Sequence, residues 1–187
     1  MPDYLQAIAI AMIAWVASWL IAAFFADRPE KRSRGFLVSV AVLAAGIVLA
    51  RRFVPPFHDF ALWHPSEAVG WAMFAVALAG LAFAWWARLE LGRLWSGTIT
   101  LKPGHRIVDT GPYAIVRHPI YTGLLLAVLA AVAAFGHALG LVAGGIVVVV
   151  NFIKARMEER FLSRELGEEA YAAYRRRVPM LIPFVHI

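Results

Sequence analysis

The residues best equipped for chemistry fall in two short stretches that lie far apart in the chain. Arg117-His118-Pro119-Ile120-Tyr121, with Gly123 just after, gathers a guanidinium, an imidazole and a phenol where an apolar run begins. Glu158-Glu159, preceded by Lys154 and Arg156, gathers two carboxylates and two cations where another apolar run ends. Proline fits the first turn of a helix, so His118 is expected at or just before a helix cap, beside free amide donors and the positive end of the dipole. Such a place holds an anion, while Tyr121 can cover a flat ligand and Gly123 lets a helix or a ligand approach closely. A carboxylate brought to the same place adds a counter-charge for a cation, and His118 or Glu159 can take a proton. The plainer alternative is interfacial: Arg117 on lipid phosphate, Tyr121 in an aromatic belt, and the glutamates paired along their own helix with Lys154, Arg160 or Arg164.

The elements that must position these residues are apolar runs. Hydrophobic residues make up 61% of the 187 positions and charged residues 16%, against roughly 45–50% and 25% in soluble domains. This composition predicts an all-α integral membrane protein built as a single domain over 1–187. Apolar runs at 4–26, 36–50, 69–87, 120–135 and 138–152 predict about five spanning helices. The first is too long for a signal-peptide core and lacks a basic lead-in. A helix start is expected near Ser66-Glu67. The last two runs are joined only by Gly136-His137, which demands an antiparallel hairpin. That hairpin brings Glu158 and Glu159 beside His118 and Tyr121. Being adjacent on one helix, the two carboxylates are expected to diverge, one inward and one toward Arg156, Arg160 or solvent. Beyond them a cytoplasmic helix leaves the fifth span, and a further helix near 168–177 is closed by Val178-Pro179 and Ile182-Pro183.

The 18 basic residues sort by position. Segments 27–35, 88–117 and 154–187 carry four, five and seven, and the segment 51–66 carries two. The positive-inside rule then predicts an outer amino terminus, with the carboxyl terminus and both reactive stretches on the cytoplasmic face. The net charge of +6 sits beside apolar runs, so its expected partner is anionic lipid and not nucleic acid. With no cysteine, disulfides, thiolate metal sites and a cysteine nucleophile are excluded. His58 and His64 have no acidic partner at ligand spacing, so no metal is expected; His137 and His186 read as solvent or headgroup residues. Ser66, Ser96 and Thr122 lack the companions of a serine nucleophile. Gly140 and Gly144 form a small-xxx-small pair that predicts close helix packing.

In their order and spacing, several pieces together resemble the isoprenylcysteine carboxyl methyltransferase family, within the wider group of integral-membrane methyltransferases that includes phospholipid N-methyltransferases. They are Leu91-Gly92-Arg93 with Trp95-Ser96, His105 through Val108, Gly111-Pro112-Tyr113, Arg117 through Tyr121 with Gly123, Glu158-Glu159, Gly167 with Tyr171 and Tyr174, and the two prolines that close the tail. The resemblance covers roughly 91–184.

It implies methyl transfer from S-adenosylmethionine, leaving S-adenosylhomocysteine, to a lipophilic or prenylated acceptor, with the cofactor in the carboxyl-terminal half (88–187) and three spans on the acceptor side (1–87). His105, Ile107, Val108 and Tyr113 would line the approach to the cofactor. His118, Pro119, Ile120 and Tyr121 would hold it, and Glu158 would take its amino group. Arg117, His118 and Glu159 would stand at the reaction centre, with Trp95 and either Lys154 or Arg156 near the acceptor. The competing readings are a membrane NADPH-dependent reductase of sterol or steroid type, with Arg175-Arg176-Arg177 on the extra phosphate, and a non-catalytic scaffold or transporter. The near absence of ionisable residues inside the apolar runs argues against the transporter.

Overall fold

A computed structural model of the chain describes residues 2–23, 31–32, 61–96, 100–101 and 106–185. The expected second span at 36–50, the outer His58 and the site candidate His105 lie outside the described residues. Among the described residues, five α-helices carry the fold: α1 Asp3–Ala23, α2 Glu67–Leu91, α3 Pro119–Phe135, α4 Ala138–Leu166 and α5 Glu168–Arg177. Helices α1, α2 with its continuation to Leu94, and α4 are long and apolar enough to cross a membrane, and α3 is a shorter apolar helix. At 1.5 Å per residue the 17 residues of α3 reach about 25 Å, a little short of a hydrocarbon core of about 30 Å. The fold is that of an all-helical membrane protein. Among the described residues it carries a two-residue antiparallel ladder, β1 Lys31–Arg32 on β2 Thr100–Leu101, and an isolated antiparallel bridge between Ala61 and His137. That ladder joins two of the basic segments expected to share one face.

Local sequence sets the helix ends. Ser66 caps α2 as expected, its hydroxyl accepting from the Val69 amide at 3.3 Å. Pro119 opens α3 in the first turn with His118 at the cap, and Gly136 closes α3 in the left-handed region (φ 70°), a conformation that suits glycine. Its amide donates to Val132 O at 3.1 Å, and His137 already caps α4. The hairpin is therefore the one that the two-residue joint demands. The expected fifth span and the helix leaving it are one uninterrupted helix, α4, of 29 residues.

The tightest packing lies elsewhere than expected. Helix α3 packs more extensively on α2 than on its hairpin partner, through Ala77, Leu81, Ala127 and Ala130. A β-carbon at Gly123 would collide with Gly80 O and come within 2.8 Å of the Ala84 amide nitrogen. Small residues let two backbones approach closely where the solvent offers no hydrophobic drive for association. Of the glycine pair singled out in the sequence, Gly144 meets Val132 and Gly140 is looser. Gly123→Val is expected to wedge α2 from α3 and to cost about 1–3 kcal/mol, read as a lower unfolding midpoint in detergent. Gly145→Ala, where nothing lies within 4 Å, is expected not to lower it.

Candidate active site

The hairpin sets the carboxyl-terminal part of α4 against the start of α3, and a set of charged and aromatic groups interlocks there. Glu159 is 3% exposed. Its Oε1 accepts from Arg117 Nε at 2.6 Å and lies 3.3 Å from His118 Nε2, and its Oε2 lies 3.6 Å from Arg175 Nε. Glu158 Oε2 accepts from the Tyr121 hydroxyl at 2.7 Å and stands 3.8 Å from His118 Nδ1. The rings of His118 and Tyr121 stack at 5.5 Å.

The two glutamates therefore do not diverge as their adjacency suggested. Both reach His118, one at each ring nitrogen, because the imidazole lies between side chains that leave α4 about 100° apart.

Residues 179–180 complete the lead-in to α3. Pro179 O accepts from the Arg117 amide at 2.8 Å and Met180 O from the His118 amide at 3.1 Å. These two amides, which precede α3, are thus engaged by the chain itself. Arg117 Nη1 donates to Arg175 O at 3.2 Å and to Val178 O. Arg117 Nη2 is buried with no hydrogen-bond partner, which leaves one guanidinium nitrogen to satisfy.

Around this cluster opens a cavity of about 500 Å³, within the range of small-molecule sites. One end is polar, with Tyr113, Arg117, His118, Tyr121, Lys154 and Glu158 on its wall. The other end is apolar, formed by Trp15, Trp19 and Leu20 of α1 and by Leu91, Leu94 and Trp95 after α2. Trp19 holds that end together, stacking on Trp15 at 4.4 Å and meeting Trp95 edge-on at 5.4 Å. The buried Arg88 guanidinium sits 4.2 Å over the Trp95 ring and donates to Ala22 O at 2.9 Å, tying the ends of α1 and α2 to the same wall.

Burial, reinforced by nearby glutamates, raises the hydroxyls of Tyr113 and Tyr171 above the ordinary tyrosine range, and burial does the same for Tyr174. These phenols are neutral donors, and the Tyr174 hydroxyl donates to Tyr113 O at 2.8 Å.

Of the residues singled out in the sequence, the cavity gathers Trp95, Ile107, Val108, Tyr113, Arg117, His118, Ile120, Tyr121, Lys154 and Glu158. Pro119 is buried in the first turn of α3, and Glu159 sits behind Arg117 and His118, so neither lines it. Between the two cations left open, Lys154 is on the wall with its ammonium 5.0 Å from the Tyr121 ring, whereas Arg156 lies over Phe152. Trp15, Trp19 and Arg88 were missed. In an apolar run two tryptophans four apart read as lipid-facing, and nothing local marks the contact with Trp95. Tyr171 and Tyr174 entered the reading only through the resemblance, although their spacing of three on an otherwise charged helix is itself a signal of one buried face.

Comparison with known proteins adds a family. The sequence model of the isoprenylcysteine carboxyl methyltransferase (ICMT) family matches residues 71–164, about half of the chain. Methanethiol S-methyltransferase 1 of Bradyrhizobium diazoefficiens is 31% identical over 141 residues, which are 65% of this chain and 48% of that protein. Protein-S-isoprenylcysteine O-methyltransferase B of Arabidopsis thaliana is 34% identical over 104 residues, 54% of this chain and 52% of that one. The chain thus spans about half the length of these relatives. The solved structure of the eukaryotic intramembrane Ras methyltransferase ICMT shares its fold, with a TM-score of 0.53 over 83% of this chain and 54% of that one at 17% identity. With a family match that runs from α2 through the hairpin to the glutamate pair, the chain belongs to the isoprenylcysteine carboxyl methyltransferase family.

Proposed function

We propose that the chain is a membrane methyltransferase that uses S-adenosylmethionine and methylates a lipophilic acceptor, an isoprenylcysteine-type carboxylate or a related lipid or small molecule. The observation that carries this reading is one cavity with a carboxylate-bearing polar end and a tryptophan-walled apolar end. The polar end fits the donor: Glu158 suits an ammonium, the unsatisfied Arg117 Nη2 suits a carboxylate, and Tyr113 with Tyr121 suits a flat purine. When bound, S-adenosylmethionine supplies a methyl group on a sulfonium centre, already activated for in-line displacement. The chain's task is then to place the acceptor and exclude water, more than to supply acid or base.

In this reading Glu158, Tyr121, His118, Tyr113, Ile107, Val108 and Ile120 hold the donor. Arg117 and His118 border the reaction centre, with Glu159 fixing both from behind. Lys154 and Trp95 face the acceptor. A carboxylate acceptor arrives ionised and needs no base; for a thiol or amine, His118 lines the cavity and can take the proton. The cytoplasmic placement of the site and the assignment of 1–87 to the acceptor side belong to the same proposal. The names of the relatives support a sulfur-linked or prenylated acceptor. Against the NADPH reductase, none of Arg175, Arg176 and Arg177 lines the cavity, and Arg177 is paired with Asp109 at 3.1 Å.

The test is transfer of labelled methyl from S-adenosylmethionine to lipophilic carboxylates, thiols and amines by the protein reconstituted in vesicles. Labelling of at least one acceptor class is expected, and labelling of none overturns the proposal. Trp95→Ala is expected to raise the KM for the acceptor on the order of tenfold while S-adenosylhomocysteine affinity stays within about twofold.

A further inference from the structure

The segment after α5 is the part of the fold whose placement the function does not absorb. It leaves α5 at Val178 and folds back along the hairpin. Met180 is fully buried, and with Leu181 and Ala155 it forms a cluster packed on Tyr121, Leu125 and Phe152. Leu181 O accepts from the Thr122 hydroxyl at 2.7 Å. Leu125 is six residues inside α3, about 9 Å along its axis, and Phe152 lies at the end of the apolar stretch of α4. The side chains of Met180 and Leu181 therefore reach the apolar parts of both helices, while the backbone of 179–181 runs level with the start of α3.

Its next residues point away from the protein. Ile182 and Val185 are exposed, and Phe184 is 95% exposed with φ at 67°. A phenylalanine in the left-handed region is conformationally costly, and a ring held fully out of the protein beside apolar helices fits an apolar surrounding. On the hairpin itself, Leu126 and Leu129 of α3 and Val149 and Ile153 of α4 are also exposed. Just before the segment, Arg175 and Arg177 present partly exposed guanidiniums, the charge that suits phosphate headgroups.

We infer that residues 178–185 are a lipid-inserted strap: Ile182, Phe184 and Val185 enter the acyl region of the bilayer, and the backbone of 179–180 thereby holds Arg117 and His118 in place. The strap joins the two directly, because the carbonyls of Pro179 and Met180 take the amides of Arg117 and His118. The bilayer thus becomes part of what positions the site. This inference stands whether or not the proposed methyl transfer is correct.

The absence of cysteine makes the test direct. Phe184→Cys carries a nitroxide spin label in the full chain, reconstituted in vesicles containing an anionic phospholipid. Relaxation of the label by dissolved oxygen, with little effect of a water-soluble nickel chelate, is the expected result. Relaxation by the chelate would place Phe184 in water, and relaxation by neither would mean that another segment or a second copy covers it; either outcome overturns the inference. A second measurement reads the coupling to the site. Phe184→Asp is expected to speed amide hydrogen exchange at Arg117 and His118 about tenfold, with exchange in the middle of α2 unchanged. Unaltered exchange at those two amides would refute the positioning role, and faster exchange throughout would show global loosening instead of a strap.

Discussion

Replacing Glu159 by alanine is expected to destabilise the folded protein by about 3–5 kcal/mol, more than any other single change at the site. Arg117 and Glu159 are 5% and 3% exposed, so removing the carboxylate leaves a guanidinium with no counter-charge where water does not reach. Arg117 Nη1 keeps its backbone acceptors Arg175 O and Val178 O, but Nε loses its partner at 2.6 Å and joins the already unsatisfied Nη2. His118 Nε2 loses its acceptor in the same step. Glu159→Gln keeps an oxygen for both donors and is expected to recover more than half of the loss. Unfolding midpoints of the two variants in detergent check this. A Glu159→Ala midpoint equal to that of the parent would mean that the pair contributes nothing.

Much of this site was legible in the sequence, and the reason is the hairpin. A two-residue joint between apolar runs leaves α3 and α4 no arrangement but antiparallel neighbours, so Glu158 had to arrive near Tyr121 and His118. The proline at 119 fixed the helix start in the same way. What escaped is what depends on elements far apart in the chain with no local signature. The stacking of Trp15 on Trp19 against Trp95 requires α1 to lie beside the end of α2. The engagement of the Arg117 and His118 amides by 179–180 requires a tail to fold back, and Pro179 and Pro183 signal only that α5 ends. The glutamates were read as divergent because helix periodicity counts backbone directions, and it does not see a ring large enough to meet both side chains.

Glu158→Ala is expected to weaken S-adenosylhomocysteine binding about 30- to 150-fold, the equivalent of losing a charge-assisted hydrogen bond of about 2–3 kcal/mol. Glu158 is the only carboxylate on the cavity wall among the described residues, and it is fixed in place by the Tyr121 hydroxyl at 2.7 Å. The side chain keeps about 30% exposure, which holds the expected effect below that of a fully buried charge. Tyr121→Phe removes the orienting hydroxyl and keeps the ring, so a smaller loss of about fivefold is expected. A larger loss from Tyr121→Phe than from Glu158→Ala would reverse the assigned roles. Glu158 is not the partner of the buried Arg117 guanidinium and its side chain is about 30% exposed, so its alanine variant is expected to unfold within a few degrees of the parent.

The central claim is that the polar end of this cavity is built for S-adenosylmethionine. Calorimetric titration of the detergent-purified protein with S-adenosylhomocysteine, and separately with NADPH, tests it most directly. The account predicts saturable one-to-one binding of S-adenosylhomocysteine and no saturable heat with NADPH. Binding of NADPH without binding of S-adenosylhomocysteine, or binding of neither, would contradict it.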